Sequence, residues 1–349
     1  PKSDESKNMN ESNYISSTTN GSPLDPATGL SGRRITRFSP PPFAHIPVMV
    51  ESVTEIFSTV PSGLILDATI GGGGHSLEIL KSREDLNVIG IDQDSEALAA
   101  ADSNLVGFAN RVSLIHGRFD DLSAVAKQMG NQKLSGFLFD LGVSSYQLDN
   151  PHRGFSFRND GPLDMRMNPD SQITAGEYVN GATEEELASL LYNYGDEKYS
   201  KRVARAIVSM RPILGTKELA DIICDAMPAR SKRSPGHPAR RSFQALRIAV
   251  NSEIEILESS IREAIRLLKI GGRGIVLSYH SGEDKVVKRT LRQLAGLDIS
   301  NSKYHPEVRQ QKSILLLARK AQRASSDEIS RNPRASSALL RKFEKVSEL

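Results

Sequence analysis

The sequence predicts an α/β protein, a parallel sheet covered by helices and interrupted by an all-helical block. Three observations predict it. Short apolar, β-branched runs alternate with helical patterns between residues 63 and 140, and the rhythm resumes after residue 243. Glycines follow the first run directly, as in a tight strand-to-helix turn. Between Asp149 and Ser242 strand-like runs disappear and helical periodicity takes over.

Residues 1–42 are rich in Ser, Asn, Thr and Pro and poor in large apolar residues. Such a segment buries too little surface to offset its ordering entropy, so a disordered tail is expected, with a weaker second reading as an RNA-contacting arm through Arg33, Arg34 and Arg37. Order is expected from residue 43. The first part of the sheet domain then runs over 43–148, the helical insert over 149–242 and the second part over 243–349. Residues 63–70 read as the first buried strand and 76–81 as the start of its helix. Residues 87–92 form a second strand, 95–105 an Ala-rich helix, 112–116 a third strand and 136–140 a fourth. Right-handed crossovers make such a series a parallel sheet. In the insert, 184–192, 201–210 and 217–227 are helical by period. One long amphipathic helix is expected from about 243 to 268, broken by Gly271-Gly-Arg-Gly. Residues 275–279, 313–317 and 337–340 are the remaining strand candidates.

The chain has 349 residues, 38% hydrophobic and 25% charged, enough for one large domain or two. Its net charge of +3 does not argue for nucleic acid, but the distribution does. Between Lys198 and Arg247, twelve Lys or Arg stand against three acids, a local surplus of nine, so the remainder is net acidic. A field of that size suits a phosphate backbone, and equally a solvated basic helix face. The single cysteine, Cys224, excludes an intrachain disulfide and a four-thiolate zinc site, and no metal is expected. A cytoplasmic protein fits that usage, as would a cysteine-poor secreted one. No apolar run approaches the ~20 residues of a membrane helix, and the first residues lack a signal-like stretch.

Asp67-Ala-Thr-Ile-Gly71-Gly-Gly-Gly74-His75 joins the first strand to its helix, where glycines let a ligand lie against backbone. Asp92 ends the second strand, where an acid grips a ribose diol. A dinucleotide fingerprint needs Gly at position 76, which is Ser, and no Gly-Lys-Ser/Thr follows for a phosphate loop. S-adenosylmethionine has no pyrophosphate and fits better. Asp67, Asp92 and Asp140 fall at strand ends, suited to its ribose or cationic groups, though Asp67 and Asp140 are suited to capping too. Phe119 borders the expected adenine pocket, as ligand contact or core.

The fourth strand leads into Asp140-Leu-Gly-Val-Ser-Ser-Tyr146-Gln-Leu-Asp149, then Arg153-Gly-Phe155-Ser-Phe157-Arg and Asp160-Gly-Pro-Leu-Asp-Met-Arg166. This composition suits gripping a base. An exocyclic amine is a poor nucleophile, and must be held in line with the methyl while acceptors draw on its N–H groups. Asp140, or a carbonyl beside it, is the candidate acceptor. Tyr146, Phe155 and Phe157 are candidates to stack on an extruded base, at least one of them being core instead. His280, with Asp284 to orient it, is a candidate for a proton or a phosphate, or else a buried cap. Carbon-5 methylation needs a cysteine nucleophile, and Cys224 lies far from every strand end. The DNA amino-methylation signature, with Pro-Pro after the strand-four acid, is absent because Leu141-Gly142 follow Asp140. A nicotinamide oxidoreductase and an RNA-binding assembly factor without catalysis are the rival classes.

These motifs resemble those of the bacterial RsmH (MraW) ribosomal RNA methyltransferases, which methylate N4 of a cytidine in the decoding region of small-subunit RNA. The resemblance rests on His45-Ile-Pro-Val-Met, Gly72-Gly-Gly-His75, the stretch 140–149, Arg153-Gly-Phe-Ser-Phe, Gly161-Pro-Leu-Asp-Met-Arg-Met167, Tyr194-Gly-Asp-Glu, residues 237–251, His280-Ser and Asn332-Pro-Arg-Ala. It implies a class I S-adenosylmethionine-dependent methyltransferase fold, a Rossmann-like seven-stranded sheet with an inserted helical domain for RNA recognition. It implies cofactor contacts at Gly73, Gly74, His75, Asp92, Phe119, Asp140 and Gln147, and 16S ribosomal RNA within the small subunit as partner of a monomer or homodimer. The sequence departs from the family at Gly282, where Leu is usual, and in its long polar tail.

Overall fold

The computed structural model describes residues 46–130, 132–229, 236–297 and 312–349. The expected tail, His45 and the insert's Arg230, Lys232 and Arg233 lie outside them. Chain order is α1 (Val50–Phe57), β1 (Gly63–Asp67), α2 (Gly74–Ser82), β2 (Leu86–Asp92), α3 (Ser95–Asn104), β3 (Val112–His116), α4 (Ser123–Met129), β4 (Leu134–Asp140) and α5 (Ser145–Asp149). Next come α6 (Ala175–Gly181), α7 (Glu184–Gly195), α8 (Ser200–Ser209) and α9 (Thr216–Ala226). The chain continues with α10 (Arg240–Asn251), α11 (Glu253–Leu267), β5 (Leu268–Ser278), α12 (Ser281–Leu294), β6 (Ile314–Leu316), β7 (Gln322–Arg323), α13 (Ser326–Arg331) and β8 (Leu339–Lys345).

The strands form one sheet in the order β3-β2-β1-β4-β5-β8-β6, with two-residue β7 also pairing β8. The pairs among β1 to β5 are parallel and β8 runs antiparallel to β5. This is the expected class I methyltransferase fold, with β7 as a small addition to its seven strands. The parallel strands are apolar throughout because both faces are covered. On one face Phe137, Phe139, Val276 and Phe343 pack with Leu257, Ile261 and Ile265 of α11 and Val287 and Leu291 of α12. On the other, Ile65, Val88, Leu138 and Ile275 pack with Val53 and Phe57 of α1 and Ile79 and Leu80 of α2. The helical stretch has its own core, built from Leu187, Leu191, Val203, Ile207, Leu219 and Ile223, which Phe243 and Leu246 of α10 complete.

Two expected elements are redrawn. The single helix over 243–268 is two helices, because Ser252 takes a left-handed conformation (φ 50°). Asn251, just before it, spends its amide on the insert: Nδ2 donates to the Met165 carbonyl and Oδ1 accepts the Met167 amide, both at 2.8 Å. The fifth strand begins at Leu268, so the glycine run lies inside it, at a register shift against β4, instead of ending a helix. Among the described residues no helix is long and apolar enough to cross a membrane.

Candidate functional site

Parallel strands put β1, β2, β4 and β5 carboxyl ends along one edge of the sheet, where open α/β folds bind ligands. The turn after β1 is pinned on both sides, with the Ala68 amide donating to the Leu138 carbonyl and the Ile70 amide to that of Ile91. Gly71 (φ 51°) and Gly73 (φ 79°) make the turn in left-handed conformations that a side chain would strain. At Gly71 an added Cβ would meet nothing nearer than the Thr69 carbonyl at 4.0 Å, so this backbone faces open space. Gly74, by contrast, is closed off by Pro47, whose Cγ would lie 2.6 Å from a Cβ there.

Three carboxylates converge on this turn. Asp67 is buried and serves the turn itself: Ser76 donates to its Oδ2 at 2.6 Å and the Thr69 amide lies 3.4 Å from Oδ1. The serine that breaks the dinucleotide pattern is therefore the partner of a buried acid. Asp92 accepts the Gly71 amide at Oδ2 and the Asp94 amide at Oδ1, each at 2.9 Å. Burial pushes its carboxyl up to about 6. Each oxygen keeps a second lone-pair direction for an outside donor.

Asp140, at the end of β4, is a carboxylate partly open to the cleft, its side chain 22% exposed. Tyr279, following β5, donates its hydroxyl to Oδ1 at 2.6 Å, and the Asp140 amide is 2.6 Å from Thr69 Oγ1. Oδ2 lies 3.6 Å from His75 Nδ1. The other ring nitrogen, Nε2, sits 2.8 Å from the Val48 carbonyl, which accepts only, so Nε2 carries a hydrogen. Burial raises the Asp140 carboxyl above its ordinary range, partly offset by His75 and the Tyr279 hydroxyl. Burial, with Asp140 beside it, raises the Tyr279 phenol well above 10, so it remains a donor at neutral pH.

The loop after β4 turns into α5 through a reciprocal cap: Ser144 Oγ accepts the Gln147 amide and Gln147 Oε1 accepts the Ser144 amide. Gln147 is buried and its Nε2 donates to Asp94 Oδ2 at 2.8 Å. Its first engagement is thus with the protein, leaving one N–H for a ligand. Tyr146 is half-buried, and burial and Glu96 raise its phenol. Phe119 stands edge-on to Phe139, ring centres 5.5 Å apart, at the border of the core.

Several expected base contacts lie elsewhere. Phe155 is buried in the insert core, so its predicted stacking role is replaced by packing. Phe157 stacks on His237 at 4.3 Å and meets Phe243 edge-on, so its ring is already engaged by protein. His280 caps α12, its Nδ1 facing the Glu283 amide at 3.4 Å and its Nε2 in ion-pair contact with Glu283 Oε1 at 2.9 Å, off the direction of a hydrogen bond. Asp284 does not orient it, because Arg341 takes both Asp284 oxygens at 2.7 and 3.0 Å. Behind His280, Arg247 forks onto Glu253 at 2.8 and 3.0 Å and lies 3.6 Å from Glu283. Burial opposes the Glu283 charge, but His280, Arg247 and the Tyr279 amide hold its carboxyl below the usual range.

Sequence reasoning passed over Asp94, Arg153, Arg247, Glu283 and the Tyr279 hydroxyl. Only Tyr279 and Asp94 carried a usable signal, as polar residues at or just past a strand end.

The model of the MraW methylase family matches residues 42–346. The protein named ribosomal RNA small subunit methyltransferase H in Heliobacterium modesticaldum is 44% identical over 316 residues, covering 87% of this chain and 99% of the relative. The protein of the same name in Thermobifida fusca is 42% identical over 324 residues, covering 89% of this chain and 96% of the relative.

Proposed function

The chain belongs to the MraW methylase family, and on that premise we propose that it methylates N4 of a cytidine in the decoding region of 16S ribosomal RNA, using S-adenosylmethionine. The observation that carries this reading is Asp140, a partly open carboxylate held by Tyr279 and facing His75, one strand from a bare-backbone glycine turn. The donor's chemistry fits the residues present. Asp92 offers two oxygens for a ribose diol, Gly71 and Gly72 leave room beside the backbone, and Phe119 offers an apolar edge for adenine. When bound, this cofactor supplies a methyl group activated by a positively charged sulfur.

The chain's own residues deal with the nucleophile. Asp140 Oδ2, with the backbone beside it, accepts the N–H groups of the target amine and orients its lone pair toward the methyl. As the nitrogen gains positive charge the carboxylate stabilises it, and the Tyr279 hydroxyl fixes the orientation of that carboxylate. Removal of one such preorganised partner costs about 10²–10³ in rate. The insert, with exposed Lys201, Arg202, Arg205, Arg240 and Arg241, supplies the attraction for RNA. The test is mass mapping of modified cytidines in small-subunit RNA from cells carrying the wild-type gene, a deletion or Asp140→Ala. N4-methylcytidine at one position should vanish in the deletion and stay absent with Asp140→Ala, while purified variant protein still binds S-adenosylhomocysteine. An unchanged modification map in the deletion sinks the proposal.

A further inference from the structure

Asp94 lies two residues beyond the acid assigned to the ribose, and is fully buried. It is the meeting point of three parts of the molecule. Its amide donates to Asp92 Oδ1 at 2.9 Å, which fixes the acid that itself holds Gly71. Its Oδ1 accepts the Glu96 amide and caps α3. Its Oδ2 takes two further donors, Gln147 Nε2 at 2.8 Å and Arg153 Nη1 at 2.7 Å.

Gln147 belongs to α5, which the loop after Asp140 enters through a cap that depends on the same side chain. Arg153 belongs to the start of the insert and is 11% exposed. Its fork is spent entirely on protein: Nη1 also reaches Glu96 at 2.9 Å, and Nη2 donates to the Arg166 and Met167 carbonyls at 3.0 and 3.2 Å. The segment it holds is unusual. Met165 adopts φ 60°, a conformation costly for a non-glycine residue, and is wholly buried. The Met165 amide donates to the Arg153 carbonyl at 3.0 Å, and Asn251 of α10 clamps the Met165 carbonyl and the Met167 amide. Met167 then returns to the donor side, its sulfur 3.2 Å from Gln93 Nε2, directly after β2.

We infer that Asp94 and Arg153 are positioning residues that join the donor turn, the Asp140 loop and the insert into one unit, so that donor binding orders the segments that receive RNA. The inference rests on the donor assignment above. The mechanism needs no moving domain. A ligand that fixes Asp92 restricts Asp94, which passes the restriction to α3 through Oδ1 and to Gln147 and Arg153 through Oδ2. Sites linked in this way typically show couplings of about 5- to 150-fold, and each ligand must strengthen the other by the same factor.

The test is hydrogen exchange on the full-length protein, with and without saturating S-adenosylhomocysteine, whose uptake is followed separately by calorimetry. In the wild type the amides of 144–149 and 163–167 should slow by about tenfold or more on ligand binding, together with those of 70–75 and 92–96. In Arg153→Gln protection should be lost at 163–167 but kept at 70–75, 92–96 and 144–149, the last still tied to Asp94 through Gln147, while the α7 and α9 amides exchange as in the wild type. Arg153→Lys, which keeps the charge and loses the fork, should lie between the two and covers the case in which the Gln variant does not fold. Ligand uptake in the wild type without slowing at 144–149 and 163–167 overturns the inference, as does undiminished slowing at 163–167 in both variants. Failure to take up the ligand at all would instead strike at the donor assignment.

Discussion

Replacing Asp92 by Asn separates what this carboxyl does for the fold from what it does for a ribose. In the native state it satisfies two amides, those of Gly71 and Asp94, and burial lifts it from 3.8 to about 6. A folded value above the unfolded one means that the native state binds the proton more tightly. Stability linked to this group is therefore full below about pH 4 and is lost as pH rises toward 6. The gap corresponds to at most about 3 kcal/mol, an upper figure because the side chain keeps part of its exposure to water. Asn removes that charge cost, but it has one acceptor oxygen where two amides need accepting, which costs about 1–3 kcal/mol. The two effects nearly cancel above pH 7. Urea denaturation should show Asp92→Asn within about 2 kcal/mol of the wild type at pH 7.5. It should also show a distinctly flatter dependence of stability on pH between 4 and 6.

Ligand affinity carries no such cancellation. Hydrogen bonds from a diol to a charged acceptor contribute about 1.5–3 kcal/mol each, so S-adenosylhomocysteine should bind Asp92→Asn at least about tenfold more weakly at pH 7.5. For the wild type, affinity should fall as pH drops through 6, because the protonated carboxyl loses acceptor strength, and the variant should lack that inflection. Calorimetry across pH 5–8 reads both. If the variant matches the wild type in affinity, or keeps the same stability slope between pH 4 and 6, the reasoning about Asp92 is wrong.

Two further substitutions test the frame around the site. Gly154 has φ 71°, and a Cβ there would lie 2.2 Å from the Pro162 carbonyl, so Gly154→Ala should cost about 3 kcal/mol or more in urea denaturation. Arg247→Met leaves buried Glu253 and Glu283 without their guanidinium. It should lose about 3–5 kcal/mol at pH 7.5 and distinctly less at pH 5, where the abandoned carboxyls take up protons, as denaturation at the two pH values will read.

Much of the fold was legible because it is local. Apolar runs bounded by glycine and aspartate give β1, β2 and β4 directly, and the 3.6-residue period gives α7, α8 and α9 within a few residues. The break at Ser252 was not legible. A period count across 243–268 sees an uninterrupted amphipathic face, whereas the kink depends on Asn251 bonding to residues more than eighty positions away. The same limit governs the site. The glycine turn, Asp92 and Asp140 announce themselves by standing at strand ends. Phe155 and Phe157 look alike in sequence, and only the insert core tells that one is buried and the other stacked on His237. Arg153 reads as a surface arginine until its four acceptors come from two segments, Asp94 and Glu96 at the start of α3 and the Arg166 and Met167 carbonyls.

The cleft and the insert divide an electrostatic problem. Asp67, Asp92, Asp94 and Asp140 crowd the strand ends, and the donors they meet are mostly neutral: Ser76, backbone amides, Gln147 and the Tyr279 hydroxyl. Among the described residues the cations touching this group are Arg153 and, when protonated, His75. Such a cleft favours a cationic donor and repels phosphate, so a polyanionic substrate must be drawn in from outside it. The basic stretch between Lys198 and Arg247 is the part of the chain with charge to do so. It joins the cleft through buried contacts, with Arg247 of that stretch lodged against Glu253 and Glu283 behind His280. Arg247 itself stands just beyond the 149–242 insert, in the helix α10 whose Phe243 and Leu246 complete the insert core, so one helix serves both cores. On the proposal above, the exposed cations that would attract RNA and the buried Arg247 that neutralises Glu253 and Glu283 belong to one basic stretch of the chain.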